Sequence, residues 1–342
     1  MSASTKVIQA AAGAGGLVGG EYIVVGDDSG LITLFDHTTP GSVSLATTYD
    51  ISLIGDPDAI AFSPDGNYIA VGSSPSDPEF TLLDHTTPGS LSLSDTYNMP
   101  GDVYGLSFSP DGNYIAVGHI SGNGITLLDH TTPGTVSKAA GYDTLPNRGT
   151  KTSFSPDGNY IAVPHYFSPY FTLLDHTTPG SLSLAATYTL PDQGLSSSFS
   201  PDGDYIAVGH VDPPCFTLLD HTTPGSVSLA ATYTLTGSIR SRGVDFSPDG
   251  NYIAVGHEAA PYFTLLDHTT PGSVSLAATY TLAGECYDTS FSPDGNYIAV
   301  AHDAAPYFTL LDHTTPGSVS LAATYTLSND ARSVDFFPAP IE

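Results

Sequence analysis

Two phrases return in register along this 342-residue chain, and they leave few folds open. FSPDGNYIAVGH, or a near copy, begins at Phe62, Phe108, Phe154, Phe199, Phe246 and Phe291. TLLDHTTPGS places its aspartate at Asp84, Asp129, Asp175, Asp220, Asp267 and Asp312, and a seventh copy, TLFDHTTPGS, has Asp36. The spacing, roughly 45 to 47 residues, is that of a propeller blade, a unit that cannot bury its own apolar faces and must stack on copies of itself.

Turn chemistry divides each unit into four strands. In the copy that begins at Phe246, strand A is 243–246, strand B 252–255, strand C 263–266 and strand D 273–282. SPDG supplies a proline with preset φ and a glycine free to adopt the left-handed conformation that closes a hairpin. DHTTPG supplies an aspartate able to bond its own backbone, followed by Pro-Gly. Strands B and C carry apolar residues in succession, which suits burial on both faces. Strand D alternates, with Val274, Leu276, Ala278, Tyr280 and Leu282 on one face, and is expected to form the half-exposed outer edge. Strands A to C then run from a central channel outward, and small residues such as Ala254 and Gly256 let adjacent sheets approach.

The chain ends complete the count. Strand B occurs seven times, from Tyr22 to Tyr297, but FSPDG only six; at the far end residues 333–337 match a lone strand A. That strand is expected to complete the N-terminal blade. The fold class is therefore all-β: a seven-bladed β-propeller of four-stranded antiparallel blades, closed by the C-terminal strand joining the first blade. The domain division is an Ala/Gly-rich lead-in over 1–20, a single propeller over 21–337 and a tail over 338–342. Residues 7–20 follow Lys6 and loosely imitate a signal peptide, but lack a Leu-rich centre and run straight into the first repeat. No stretch approaches the ~18 apolar residues of a membrane span.

The net charge of −28 argues against nucleic acid as partner, because a phosphate backbone requires a basic face. Much of the acidity belongs to the recurring turns, where aspartate serves turn geometry. The two cysteines, Cys215 and Cys286, occupy non-equivalent positions and read as free thiols. Seven of the 12 histidines sit in DHTTPG and five, His119, His165, His210, His257 and His302, end strand B. Equivalent positions in separate blades are too far apart to share a metal with bonds of ~2 Å, so neither metal nor cofactor is expected.

Comparison of the copies locates the candidate site. The A–B and C–D turns barely vary, whereas the B–C and D–A loops vary freely. In an up-and-down blade this makes one uniform face and one diversified face, and function on a rigid scaffold favours variable loops. Five of the seven basic residues, Arg148, Lys151, Arg240, Arg242 and Arg332, lie in D–A segments and are expected to ring the channel mouth on the variable face. That ring would suit a carboxylate, a phosphate or an acidic partner. Ion pairing is the competing expectation, with Asp330 or Asp335 as the partner of Arg332. Tyr170, Tyr262 and Tyr307 precede strand C in equivalent places, and are either secondary contacts or covers over blade seams. No nucleophile elbow, phosphate-cradling loop or sialidase box appears.

FSPDG followed by YIAV resembles the A–B hairpin of WD-repeat propellers, with Leu266-Asp267 where Trp-Asp would end strand C. The chain has no Trp, so the polar network of that family does not carry over. The phrase is also similar to repeats of tailed-phage and prophage virion proteins, visible from Phe154 to His165 with Ser168-Pro169-Tyr170, and again from Phe291 to His302 with Pro306-Tyr307. That resemblance implies a non-enzymatic structural or attachment protein of a virion. Its partners would be other virion proteins or a host surface receptor, and it could be a symmetric homo-oligomer. A cytoplasmic interaction scaffold or a carbohydrate-binding propeller is the alternative.

Overall fold

The computed structural model describes residues 22–338 except 122, 123, 143, 146, 147 and 239. The 1–20 lead-in and all but the first residue of the 338–342 tail lie outside the described residues. Twenty-eight strands, β1 to β28 in chain order, form seven four-stranded antiparallel sheets. Six sheets each take four consecutive strands. The seventh has the order β28 (Ala331–Phe336), β1 (Tyr22–Asp27), β2 (Leu31–Asp36), β3 (Ser44–Asp50). Ile23 pairs with Phe336 and Val25 with Val334, so the two ends of the chain share one blade and close the ring.

The strands nearest the axis follow one another around a channel: β28, then β4 (Gly55–Phe62), β8 (Val103–Phe108), β12 (Ser153–Phe154), β16 (Gly194–Phe199), β20 (Ser241–Phe246) and β24 (Cys286–Phe291). Alternation along strand B feeds two seams at once. Ile23 and Val25 pack with Phe308 and Leu310 of the last blade, while Val24 packs with Ile60 and Ile69 of the next. The core is accordingly a set of seven apolar clusters between blades. Close approach demands glycine in places: a Cβ on Gly256 would lie 2.3 Å from the Cys286 sulfur.

The invariant turns share one face and bind it together. Asp267 Oδ1 accepts from the Thr269 N–H at 2.8 Å and its hydroxyl at 2.6 Å. His268 then spans three elements. Its Nδ1 lies 2.9 Å from the Gly250 carbonyl of the A–B turn, and its Nε2 accepts from Gly272 N–H at 3.3 Å, which assigns the neutral Nδ1–H tautomer. Its ring meets Phe246 of its own blade and Tyr205 of the preceding one edge-on, at 5.5 and 5.0 Å. The strand-end histidines are hydrogen-bonded within their blades. His165 and His257 each reach a strand-C threonine at 3.0 Å, and burial pushes both imidazoles down to about 4.

Strand D departs from strict alternation. Leu265 opposes Ala278 but Leu266 opposes Leu276, so Ala277 is an extra, bulged residue. The bulge turns Leu276 outward, 52% exposed, and the equivalent leucines of five other blades behave likewise. Because of this, Leu276→Ser should change stability by less than ~0.5 kcal/mol. Phe263→Ala, which empties a fully buried position, should cost about 3–5 kcal/mol. Urea denaturation of the two variants measures the contrast.

A candidate functional site at the channel mouth

Every inner strand carries an extra residue at the same place. The pairing shifts by one between Val103 and Gly105, Gly194 and Ser196, Ser241 and Gly243, and Cys286 and Asp288. Blade two shifts between Pro57 and Ala59, and β28 between Ala331 and Ser333. In blade four the bridge Gly149–His165 and the pair Ser153–Ala162 enclose one surplus residue. The surplus residue leaves the ladder and its side chain is aimed at the rim of the channel. Aligned four places ahead of the strand-A phenylalanine, these residues are Asp58, Tyr104, Thr150, Leu195, Arg242, Tyr287 and Arg332. All seven line one cavity of about 210 Å³, completed by Arg148, Lys151 and Tyr166.

Four of the five basic residues expected at the mouth therefore converge there. Arg240 does not: it is 46% exposed and lies 3.9 Å from Glu258. The four differ sharply in electrostatic state. Arg332 is held in a fork by Asp28, not by Asp330 or Asp335, and stands 4.3 Å over the Tyr287 ring. Lys151 reaches across the channel to Asp288 at 2.7 Å and to the Tyr287 carbonyl at 2.9 Å. Arg148 lies between Tyr166 and Tyr104, 3.5 and 4.5 Å from their ring centroids, and Arg242 lies 5.1 Å from Tyr287. The Nε atoms of both are buried without a hydrogen-bond partner, and among the described residues no carboxylate pairs with either guanidinium. An arginine stacked on tyrosine keeps its orientation while its outer N–H groups remain available.

Asp58 is the acidic member of the ring. Burial pushes its carboxyl up to about 6, against the Ser74 hydroxyl, which donates to it at 2.5 Å, and against Arg332; Asp28 and Asp56 add to the rise. Deeper in the channel, Asp335 accepts from Phe62 N–H at 2.8 Å and from the Ser290 hydroxyl at 3.2 Å, bridging three blades. Asp245 does the same with Phe291 N–H at 2.8 Å and Ser198 at 3.2 Å. Tyr170, Tyr262 and Tyr307 are not at the mouth; each packs into an inter-blade cluster and covers a seam. Cys215 and Cys286 are buried free thiols.

Asp58, Tyr104, Tyr166 and Tyr287 escaped the search for basic residues. The whole D–A segment varies from copy to copy, so only the fixed offset of four residues from the strand-A phenylalanine marks Asp58, Tyr104 and Tyr287.

The family described as WD domain, G-beta repeat matches residues 92–128, which run from strand D of the second blade to strand C of the third. No curated protein sequence matches the chain. A solved structure from Bacteroides uniformis, assigned as a 6-phosphogluconolactonase, aligns over 92% of this chain and 98% of its own, with 15% identity and a TM-score of 0.79. The periplasmic gluconolactonase of Pseudomonas aeruginosa aligns over 93% and 99%, with 16% identity and a TM-score of 0.78. A Lactobacillus plantarum protein aligns over 92% and 99%, with 16% identity and a TM-score of 0.75. At such identity the likeness is one of fold.

These neighbours correct the expectation of a non-enzymatic virion attachment protein. Propellers that match nearly end to end carry the names of lactonases, so missing enzyme boxes give no ground for setting catalysis aside.

The channel carboxylates make stability depend on pH. Crowding by protein pushes Asp335 up to about 7, above its ordinary 3.8, so its contribution is complete below pH ~4 and is lost as pH rises through about 7. Asp335→Asn, which cannot ionise, should reduce the stability lost between pH 5 and pH 8 by on the order of 1 kcal/mol in urea titrations. The architecture on which this site stands is that of a WD-repeat-like seven-bladed propeller.

Proposed function

We propose that the channel mouth binds a small anionic polyol and hydrolyses its cyclic ester, a lactone of a sugar acid or sugar phosphate. The observation that carries this reading is the pair of guanidinium groups, Arg148 and Arg242, left without carboxylate partners at a tyrosine-walled cavity of about 210 Å³. On a chain of −28, a carboxylate or phosphate finds here a local exception to a repelling surface. The lactonase names of the fold's neighbours supply the reaction class.

The chemistry asks for a base that is ionised near neutral pH yet still basic, and Asp58 at about 6 meets that requirement. Ionised Asp58 takes a proton from a water molecule as its oxygen forms a bond to the lactone carbonyl carbon. Negative charge collects on the carbonyl oxygen and is held by arginine N–H groups. The ring C–O bond then breaks, and the departing alkoxide takes the proton back from Asp58, leaving an open hydroxy acid. The base is ionised above about 6, so turnover should rise with pH through that value and level off.

Arg148→Ala and Arg242→Ala should each raise KM about tenfold or more, the loss of a charged hydrogen bond of ~1.5–3 kcal/mol, with an unchanged circular dichroism spectrum. Asp58→Asn should lower kcat by about 10²- to 10⁴-fold. The assay is acid release, followed as base uptake at constant pH, on hydrolysis of gluconolactone, its 6-phosphate and related aldonolactones. A native protein no faster than buffer on all of them, with no calorimetric binding of gluconate, removes the reading.

A further inference from the structure

The channel holds two compartments. Above is the mouth cavity of about 210 Å³; below is a second space of about 470 Å³, lined by the inner strands and reaching Pro293 and Pro338. One residue, Lys151, lines both. It leaves the chain in blade four, just before β12, and its ammonium is fastened in blade seven, on the opposite side of the axis, by the Asp288 carboxylate at 2.7 Å and the Tyr287 carbonyl at 2.9 Å. Asp288 is itself fixed: its Oδ1 accepts from Thr289 N–H at 2.9 Å and its Oδ2 from Val334 N–H at 3.2 Å. The lysine side chain is thus a bar anchored at both ends.

We infer that Lys151 sets the length of ligand the site accepts, by closing the floor of the mouth cavity. This rests on the anionic-polyol reading above and adds a specificity-determining residue to it. The upper space is below the ~300 Å³ at which pockets for drug-sized molecules begin, room for one monosaccharide-sized acid. The lower space is too polar to exclude a sugar: Ser107, Ser153, Ser198 and Ser290 offer hydroxyls there, and Asp245 and Asp335 offer carboxyls. Those carboxyls would disfavour a second anionic group. With the bar removed, the combined channel suits a chain with one anionic head at Arg148 and Arg242 and a neutral, hydroxylated tail pointing down the axis. In the native protein the bar blocks the way down the axis, so longer acids seated in this orientation are rejected by exclusion and not by lack of polar partners.

The probes are gluconate, and lactobionate, which is gluconate carrying a neutral galactosyl group. Calorimetry on the full chain gives both affinities and their ratio. The native protein should prefer gluconate by at least tenfold. In Lys151→Ala the preference should fall at least tenfold, whatever becomes of the gluconate affinity itself. Asp288→Asn, which keeps the lysine but weakens its anchor, should lower the preference in the same direction and serves if Lys151→Ala does not fold. The double variant K151D/D288K rebuilds the bar with reversed polarity and should restore the preference; a merely structural role for Lys151 would not move this ratio and bring it back. A native protein that binds both acids equally well overturns the inference, as does a folded Lys151→Ala or Asp288→Asn that keeps the full preference, while the anionic-polyol reading stands. A native protein that binds neither acid removes both.

Discussion

Burial of each sheet's two faces by its neighbours is the constraint on which everything else rests. A single four-stranded blade has apolar residues on both sides of strands B and C, and cannot hide either alone. Alternation then commits odd and even residues of one strand to different seams, as Ile23 and Val24 show. A slip of one residue would exchange the two seams and disrupt both. Pairing of β28 with β1 leaves no terminal blade with a bare face, so the ring needs no capping unit.

That rigidity allows the site to be irregular. The same surplus residue in seven inner strands projects seven side chains of five kinds into one opening. The turns on the other face cannot vary in this way, because each atom there has work: the DHTTPG histidine bonds two turns and touches two aromatic rings from two blades. Charge follows the same division. Arg332 and Lys151 are neutralised by Asp28 and Asp288, whereas Arg148 and Arg242 are held by tyrosine faces. Stacking fixes an arginine without consuming its charge, which is how an acidic protein keeps a local excess of positive groups.

The ring, the count of blades, the strand order and the closing strand were all legible in the repeat, because turn residues and apolar runs report backbone geometry directly. The placement of Arg148, Lys151, Arg242 and Arg332 at one mouth was legible too, since they precede the innermost strand. Three things were hidden. Leu276 continues the alternation in letters but not in space, because a bulge at Ala277 leaves no mark in a uniform SLAATYTL phrase. Arg240 sits only two residues from Arg242, and which of them faces the axis depends on the register shift between Ser241 and Gly243. The partner of Arg332 comes from the far end of the chain, where linear proximity had pointed to Asp330.

The surplus residue in each inner strand has a broader consequence. Since it belongs to no ladder pair, exchanging it alters the opening and leaves the strand register in place; Thr150 is the exception, its hydroxyl donating to the Pro164 carbonyl of its own blade and the Gly194 carbonyl of the next. Seven such places, one per blade, behave like the tumblers of a lock. The repeated turns and strands B and C can stay nearly identical from blade to blade while these places, with the loops beside them, decide what the opening can hold.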